Sequence, residues 1–562
     1  MATRIDCVVV GYNDASFSEM LDRAESSREI SGGYRRLLVN SAPFQGKRLK
    51  YGDLFNSALA EATGRPSRLH VGKLPNLGVH YLVSFLRRRS FRAEYVNFYN
   101  DQTDYFQELL EQHPRSVAIT TTFYYEPQPI QEIVAFVREH SPDTKILVGG
   151  PHIFHQCSDH TPNVQDGLFE EMGADVYVFD SQGELTLARI CSALQDSSPD
   201  LSRVPNLIYT TDGKTFQRTA RQPEENDMDK DVVDWSLFDP RSLGTTVQTR
   251  TARSCAYKCA FCRYPVLAGS LSLTGVEVIE RELRYLHSVG VERLLFIDDT
   301  FNIPLNRFKE ICRMMVRNKF NFDWFSYFRC ANADVESFDL LAESGCKGVF
   351  LGIESGDDRV LRAMNKIATV DKYAKGVDHL NRRGIISYAS FILGHPGETE
   401  ESARNTLAFI DDTRPTLFSI ETFYYDTKVP IARRAFEFGL MGTAYAWRHN
   451  TMDWRRATEF VEEAYRTISN SIVCPLYGFD LWSIAYLMGE GISFSQMRDF
   501  LRIAAKMLPL EVGDERARLL EGELISSLQP GRVDTSLHSG PPVAGYRPAV
   551  SAGLAEAACQ AS

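Results

Sequence analysis

The stretch Arg253-Ser-Cys255-Ala-Tyr-Lys-Cys259-Ala-Phe-Cys262-Arg-Tyr-Pro265 sets three thiols within eight residues, directly after the strand-like run 247–251. Thiolates are soft ligands, so three at this spacing can converge on one soft metal centre. A tetrahedral structural zinc asks for a fourth ligand, and Cys312, Cys330, Cys346, Cys474 and Cys559 show no paired spacing that would supply it. Three cysteines on a four-iron cluster leave one iron without a protein thiolate, open to a small molecule. The spacing favours the cluster, with zinc or inert core thiols as the alternatives.

Working outward, the loop opens an alternating series. Strand patterns fall at 247–251, 293–297, 322–328, 348–353, 385–393 and 417–425, with helical stretches between them. Six strand-helix units close most naturally as a partial (β/α)6 TIM-like barrel, assigned to residues 245–450. Residues 451–530 read as a helical C-terminal domain. Residues 531–562, with Gly540-Pro541-Pro542 and an alanine-rich run, read as a disordered tail.

Upstream, apolar runs at 8–10, 37–39, 95–96, 117–119, 146–148 and 175–179 alternate with helical patterns. This is the signature of an α/β, doubly wound parallel sheet, Rossmann-like, over residues 1–200. The helix after Leu74-Pro75-Asn76-Leu77-Gly78 carries Tyr81, Leu82, Phe85 and Leu86 on one face and ends in Arg87-Arg88-Arg89, a solvated end favoured by the helix dipole. Thr120-Thr121-Thr122 and Gly149-Gly150-Pro151 end two strand runs with residues that admit close backbone approach at the carboxyl edge, the binding edge of such sheets. Ordinary loop punctuation explains them equally well. Residues 201–244 read as a linker carrying a small hairpin.

Composition bounds the rest. At roughly 150 residues per domain, 562 residues hold three to four domains, and 44% hydrophobic with 24% charged residues is the make-up of a folded globular chain. A net charge of −11 argues against a broad nucleic-acid surface. Eleven cysteines are too sparse for a secreted disulfide scaffold, and the N-terminus runs into a strand pattern without a signal-peptide cleavage site. A cytoplasmic location is expected. The apolar stretch 471–494 is interrupted by Asp480, Glu490 and three glycines, so it reads as buried helices and not as a membrane span.

Cys255-x-x-x-Cys259-x-x-Cys262, with Phe261 just before the last cysteine, resembles the cluster loop of the radical S-adenosylmethionine (SAM) superfamily. The resemblance implies a 4Fe-4S cluster on Cys255, Cys259 and Cys262 whose open iron is chelated by SAM. Gly352-Ile-Glu354-Ser-Gly356 resembles the ribose-binding segment, which makes Glu354 the expected acceptor for the ribose hydroxyls, with a helix N-terminal acid as the plainer alternative. Gly394-His-Pro396-Gly397-Glu398 resembles the loop that passes the adenine, against a plain turn. Asp298-Asp299-Thr300-Phe301 stands where many members carry a Gly-Gly-Glu that binds the SAM amino group. Asp298 or Asp299 is then the candidate acceptor, with capping roles equally open. Arg329 is the candidate partner of the SAM carboxylate, against a structural ion pair.

A parallel-sheet domain before such a barrel resembles the cobalamin-dependent subclass. On that resemblance Pro75, Asn76, Leu77, Gly78, Thr120, Thr121, Thr122, Gly149, Gly150 and Pro151 are the expected cobalamin-binding residues. None of His70, His80, His113, His140, His152, His155 or His160 follows an aspartate by two positions, so the Asp-x-His-x-x-Gly ligation motif is absent. The resemblance then implies cobalt without that histidine. No further cysteine pairing offers an auxiliary cluster, which disfavours sulfur insertion.

The expected function is a cobalamin-dependent radical SAM methyltransferase that uses methylcobalamin and a 5′-deoxyadenosyl radical to methylate an unactivated carbon or a phosphinate phosphorus. The opening 6–14 and the segment Trp447 to Asp453 resemble methylases of antibiotic pathways, phosphinate P-methylases first and tryptophan C-methylases second. The alternatives are a rearrangement or cyclisation without methyl transfer, a polar methylation, and a non-catalytic cobalamin carrier. The implied partners are a small-molecule or peptide substrate and an electron donor such as flavodoxin or ferredoxin. Tyr424, Tyr425, Asp426, Trp447, His449 and Trp454 are candidates to line the barrel mouth, against ordinary core packing.

Overall fold

The computed structural model describes residues 4–122, 124 and 126–529. The tail assigned to 531–562 lies outside the described residues. The first sheet begins with β1 (Cys7–Tyr12), in which Val8, Val9 and Val10 are fully buried. It continues through β2 (Ala93–Phe98), β3 (Ser116–Thr120), β4 (Lys145–Gly149) and β5 (Val176–Val178). The order is β2-β1-β3-β4-β5, all parallel, with two further antiparallel strands, β6 (Leu207–Thr210) and β7 (Phe216–Arg218), at the β5 edge. Runs rich in β-branched residues with both faces covered are what a parallel sheet demands. The chain reverses direction between β1 and β3, and the crevice at such a switch point is where these sheets bind ligands.

Two expectations change here. The run Leu37-Leu38-Val39 is not a strand: it closes the helix Gly33–Val39, where only Leu37 is buried and Arg35 and Arg36 turn outward to Glu462 and Glu421. A three-residue apolar run cannot by itself separate the two periods. The hairpin expected within 201–244 exists as β6 and β7, but it is hydrogen-bonded to β5 and lengthens the first sheet.

The second sheet is parallel throughout and runs in chain order: β8 (Thr246–Thr249), β9 (Arg293–Phe296), β10 (Asp323–Tyr327), β11 (Cys346–Glu354), β12 (Ile386–Leu393), β13 (Leu417–Thr422) and β14 (Ile472–Val473). The six expected strands are present, and the two-residue β14 adds a seventh from within the helical C-terminal region. That region supplies helices Trp454–Thr467, Leu481–Gly489, Phe494–Met507 and Glu515–Ser527. Leu481–Gly489 is apolar nearly all round because it packs against β8, β9, β10 and β11. Among the described residues no helix is long and apolar enough to cross a membrane.

Candidate active site

After β8 a short antiparallel pairing of 252–253 with 272–273 brackets the cysteine loop, which turns at Ser254 with φ +72°. Its middle is fastened to the barrel. The Ala260 N–H donates to the Met364 carbonyl (2.8 Å), the Ile431 N–H donates to the Ala260 carbonyl (2.9 Å), and Asn365 Nδ2 donates to the Lys258 carbonyl (2.7 Å). Cys262 N–H closes a turn onto the Cys259 carbonyl (3.2 Å), and Cys255 Sγ lies 3.6 Å from Thr300 Oγ1. Burial pushes the Cys262 thiol up to about 11 and raises Cys259, against the pull of Lys366 and Arg329. Any metal bound here must displace protons. Among the described residues no three ligating groups close on a single ion.

Against this loop stand three charged groups. Arg329 is held by its backbone, which exchanges two hydrogen bonds with Asn302 (2.9 and 3.1 Å). Its guanidinium lies over the Tyr257 ring, and its Nε and Nη2 are buried without a hydrogen-bond partner. A buried unpaired cation is costly, and a ligand carboxylate would answer it. Glu354 sits at a register shift between β11 and β12 with φ +73°, a strained conformation that costs about 1–3 kcal/mol for a residue with a side chain. Its Oε1 lies 3.5 Å from Lys366 Nζ, which also donates to the Gly352 carbonyl (2.6 Å). Burial raises the Glu354 pKa, with Lys366 opposing. Sequence reading missed Lys366, Asn302 and Tyr257. Tyr257 alone was findable, as the aromatic inside the cysteine loop.

Asp298, expected to accept from the SAM amino group, is already committed. Its carboxylate accepts from Thr251 N (2.6 Å), Thr251 Oγ1 (2.6 Å) and Ala252 N (2.8 Å), so it anchors the entry to the cysteine loop. The neighbouring Asp299 lies beside the Tyr264 hydroxyl and is pushed up to about 6, chiefly by desolvation.

The Gly394 loop also differs from expectation. A Cβ at Gly394 would lie 2.2 Å from Trp447 Cη2, and φ is +89°. The Trp447 side chain by itself demands the glycine. His449, stacked on Trp447, donates from Nε2 to the Gly394 carbonyl (3.3 Å), and Thr451 Oγ1 donates to the Glu398 carbonyl (2.6 Å). Trp447 and His449 are therefore buried supports of this loop, Trp454 is buried with Gly32 against its ring, and Asp426 is paired with Arg263. Tyr425 is buried and Tyr424 exposed. Pro396 is buried, Gly397 (φ +93°) is exposed, and Phe261 meets His395 edge-on at 6.4 Å, which brings the cysteine loop and this loop together.

At the first sheet, the three expected segments converge on one carboxyl edge. Thr121 Oγ1 donates to the Gly149 carbonyl (2.9 Å) and accepts from His152 N (3.2 Å), and a Cβ at Gly150 (φ +108°) would lie 2.9 Å from it. Thr121, Gly149 and Gly150 thus form a knot, with Thr122 and Pro151 exposed beside it and Thr120 half-buried. A Cβ on Gly78 would lie 3.8 Å from Thr122 Oγ1. Asn76 caps the helix Leu77–Arg87 by accepting from Val79 N, Pro75 is buried, and Leu77 N–H reaches Gln248 on β8 (3.4 Å). This edge therefore faces the barrel. His152 and His155 have pKa values lowered by burial, and His152 Nε2 lies 3.4 Å from Gln156 Nε2. Unforeseen from sequence is the polar group after β1, where buried Lys50 pairs with Asp14 (2.5 Å) beside Tyr12 and His70.

Residues 249–410 match the Radical SAM superfamily model. An uncharacterized methyltransferase of Pyrococcus horikoshii is 26% identical over 68% of this chain and 82% of its own length. The structure of the radical S-adenosylmethionine methyltransferase TsrM from Kitasatospora setae, with cobalamin and [4Fe-4S] cluster bound, aligns at TM-score 0.56 with 18% identity, over 81% of this chain and 96% of that one. The cobalamin-dependent S-adenosylmethionine radical enzyme OxsB, with aqua-cobalamin and S-adenosylmethionine bound, aligns at TM-score 0.56 with 13% identity, over 93% and 75%. Both structures have the same fold as this chain.

Proposed function

We propose that this chain, whose residues 249–410 carry a radical SAM domain, is a cobalamin-dependent radical SAM methyltransferase. The observation that carries the reading is the unpartnered, buried Arg329 guanidinium beside the cysteine loop, in a barrel faced by the carboxyl edge of a doubly wound sheet. Cys255, Cys259 and Cys262 would hold the 4Fe-4S cluster and the first-sheet edge the cobalamin; when bound, they supply one-electron cleavage of SAM and a carrier for its methyl group. Arg329 would take the SAM carboxylate by charge-assisted hydrogen bonds. Asp299 is the carboxylate left to receive the amino group, because Asp298 is engaged with Thr251 and Ala252. Glu354, held by Lys366, would accept from the ribose hydroxyls.

The substrate we propose is a small molecule or peptide of natural-product biosynthesis, methylated at an unactivated carbon or a phosphinate phosphorus, with a flavodoxin or ferredoxin as electron donor. Protein reconstituted anaerobically with iron, sulfide and hydroxocobalamin is incubated with methyl-deuterated SAM and pathway intermediates, and products are read by mass spectrometry. A product bearing the labelled methyl, formed with deoxyadenosine and S-adenosylhomocysteine, is expected. A turned-over product without label would replace this reading by a rearrangement or cyclisation.

A further inference from the structure

Each end of the cysteine loop carries an arginine that leaves the barrel and enters the first sheet's helices. Arg253, two residues before Cys255, bonds Gln182 Oε1 and reaches Glu184 Oε1 at 3.3 Å and the Tyr81 hydroxyl at 3.4 Å. Arg263, the residue after Cys262, makes a two-pronged contact with Asp159 (2.5 and 2.6 Å) and reaches Asp426, just past β13, at 3.3 Å. Glu184 opens the helix Glu184–Gln195 that follows β5. Asp159 closes the helix Pro151–Asp159, which starts on the Gly149-Gly150-Pro151 edge.

The first pair lies in the interior, with the Arg253 and Glu184 side chains 7% and 8% exposed, while the second is half-buried, with Arg263 10% and Asp159 26% exposed. A buried ion pair is seldom more stabilising than an apolar contact of the same size, and a partly exposed one contributes little, so stability gives no reason for one of each on one short loop. A planar guanidinium gripping a carboxylate with two parallel hydrogen bonds does fix orientation. Between the two arginines the fastenings already described run to the barrel, through Met364, Asn365 and Ile431. The loop is thus held to the barrel at its centre and to the first sheet's helices at both ends.

We infer that Arg253 and Arg263 are positioning residues that lock the cysteine loop to the binding edge of the first sheet, and so set the separation between the cluster and a corrinoid on that edge. The corrinoid half of the inference rests on the cobalamin reading above; the lock does not. Hydrogen exchange on protein carrying only the cluster tests the lock: Arg263→Met and Asp159→Asn should each cost amide protection in 151–159. Unchanged protection in both variants overturns the lock.

The separation is tested with cluster and cobalamin both loaded and reduced to their paramagnetic states, by pulsed electron paramagnetic resonance. The wild type should give one narrow cluster-to-cobalt distance. Arg263→Met should broaden it with both occupancies kept, and Arg263→Lys, which keeps the charge and loses the fork, should fall between. An unaltered distance distribution in Arg263→Met and Asp159→Asn overturns the positioning role. Wild type that takes up the cluster but no cobalamin overturns the corrinoid half together with the functional reading, while the exchange result decides the lock on its own.

Discussion

The guanidinium of Arg329 lies 3.6 Å from the centre of the Tyr257 ring, and the contact joins β10's end to the middle of the cysteine loop. An aromatic face attracts a cation by about 0.5–2 kcal/mol, which does not replace the hydrogen bonds that Nε and Nη2 lack. The protein has therefore assembled a cationic socket at a cost in its own stability, which is what a site that gains its partner only on binding looks like.

Arg329→Met should expose that bargain. SAM affinity is expected to fall by about 1.5–3 kcal/mol, the range for a hydrogen bond to a charged group, or roughly 10- to 150-fold in Kd. The melting temperature should hold or rise, because an unpaired buried charge is gone. Equilibrium dialysis and thermal denaturation of the cluster-loaded protein read the two effects. A lower melting temperature with unchanged affinity would make Arg329 structural.

The longer strands of the barrel were legible because they are apolar runs bounded by turn residues, as in Ile386–Leu393, and the cysteine loop because its spacing is local. What stayed hidden depends on contacts between distant residues. Asp298 and Asp299 look interchangeable in sequence, and only the positions of Thr251 and Ala252 show which one is spent. Gly394 reads in sequence as a backbone that admits close approach, and one group that approaches is Trp447, 53 residues onward, which no local pattern announces. Arg263 carries no signal at all until Asp159 and Asp426 are beside it.

Gly394→Ala tests that assignment. The added methyl meets Trp447 Cη2 at 2.2 Å in a backbone of φ +89°, so overpacking and strain together should cost about 2–4 kcal/mol. Trp447→Phe removes the two nearest colliding atoms and leaves Ala457 Cβ at 2.9 Å, so the same glycine substitution in that background should cost visibly less. Additive losses in urea denaturation would show that the two residues do not share the space.

Asp298→Asn and Asp299→Asn separate anchor from ligand. An asparagine at 298 can keep its one oxygen on the backbone donors of Thr251 and Ala252, but it turns an NH2 toward Thr251 Oγ1, which donates to the carboxylate and already accepts from Arg307 Nη1 (3.2 Å), at a cost of about 1–3 kcal/mol. Iron content after reconstitution should drop, since the loop entry is misplaced. Asp299→Asn should leave stability and iron content unchanged and weaken SAM binding alone. The reverse pattern would return Asp298 to the binding list.

Glu398 gives the fold a pH dependence. It is fully buried, its Oε2 accepts from Gly394 N–H, its Oε1 has no partner, and burial pushes its pKa up to about 8. The unfolded glutamate titrates near about 4.3, so between these values the folded chain holds a proton that the unfolded chain has released. Stability from this group is complete below the lower value and declines as pH rises toward the upper one. Glu398→Gln keeps the acceptor for Gly394 and cannot ionise, so its stability should change less between pH values of about 6 and 8.5. Taking the difference between variant and wild type at each pH removes the parallel contribution of Glu282, which burial pushes up to about 7. Equal slopes for the two proteins in urea denaturation would show that Glu398 stays ionised in the fold, and the closeness of the Gly394 contact would then need a charged acceptor.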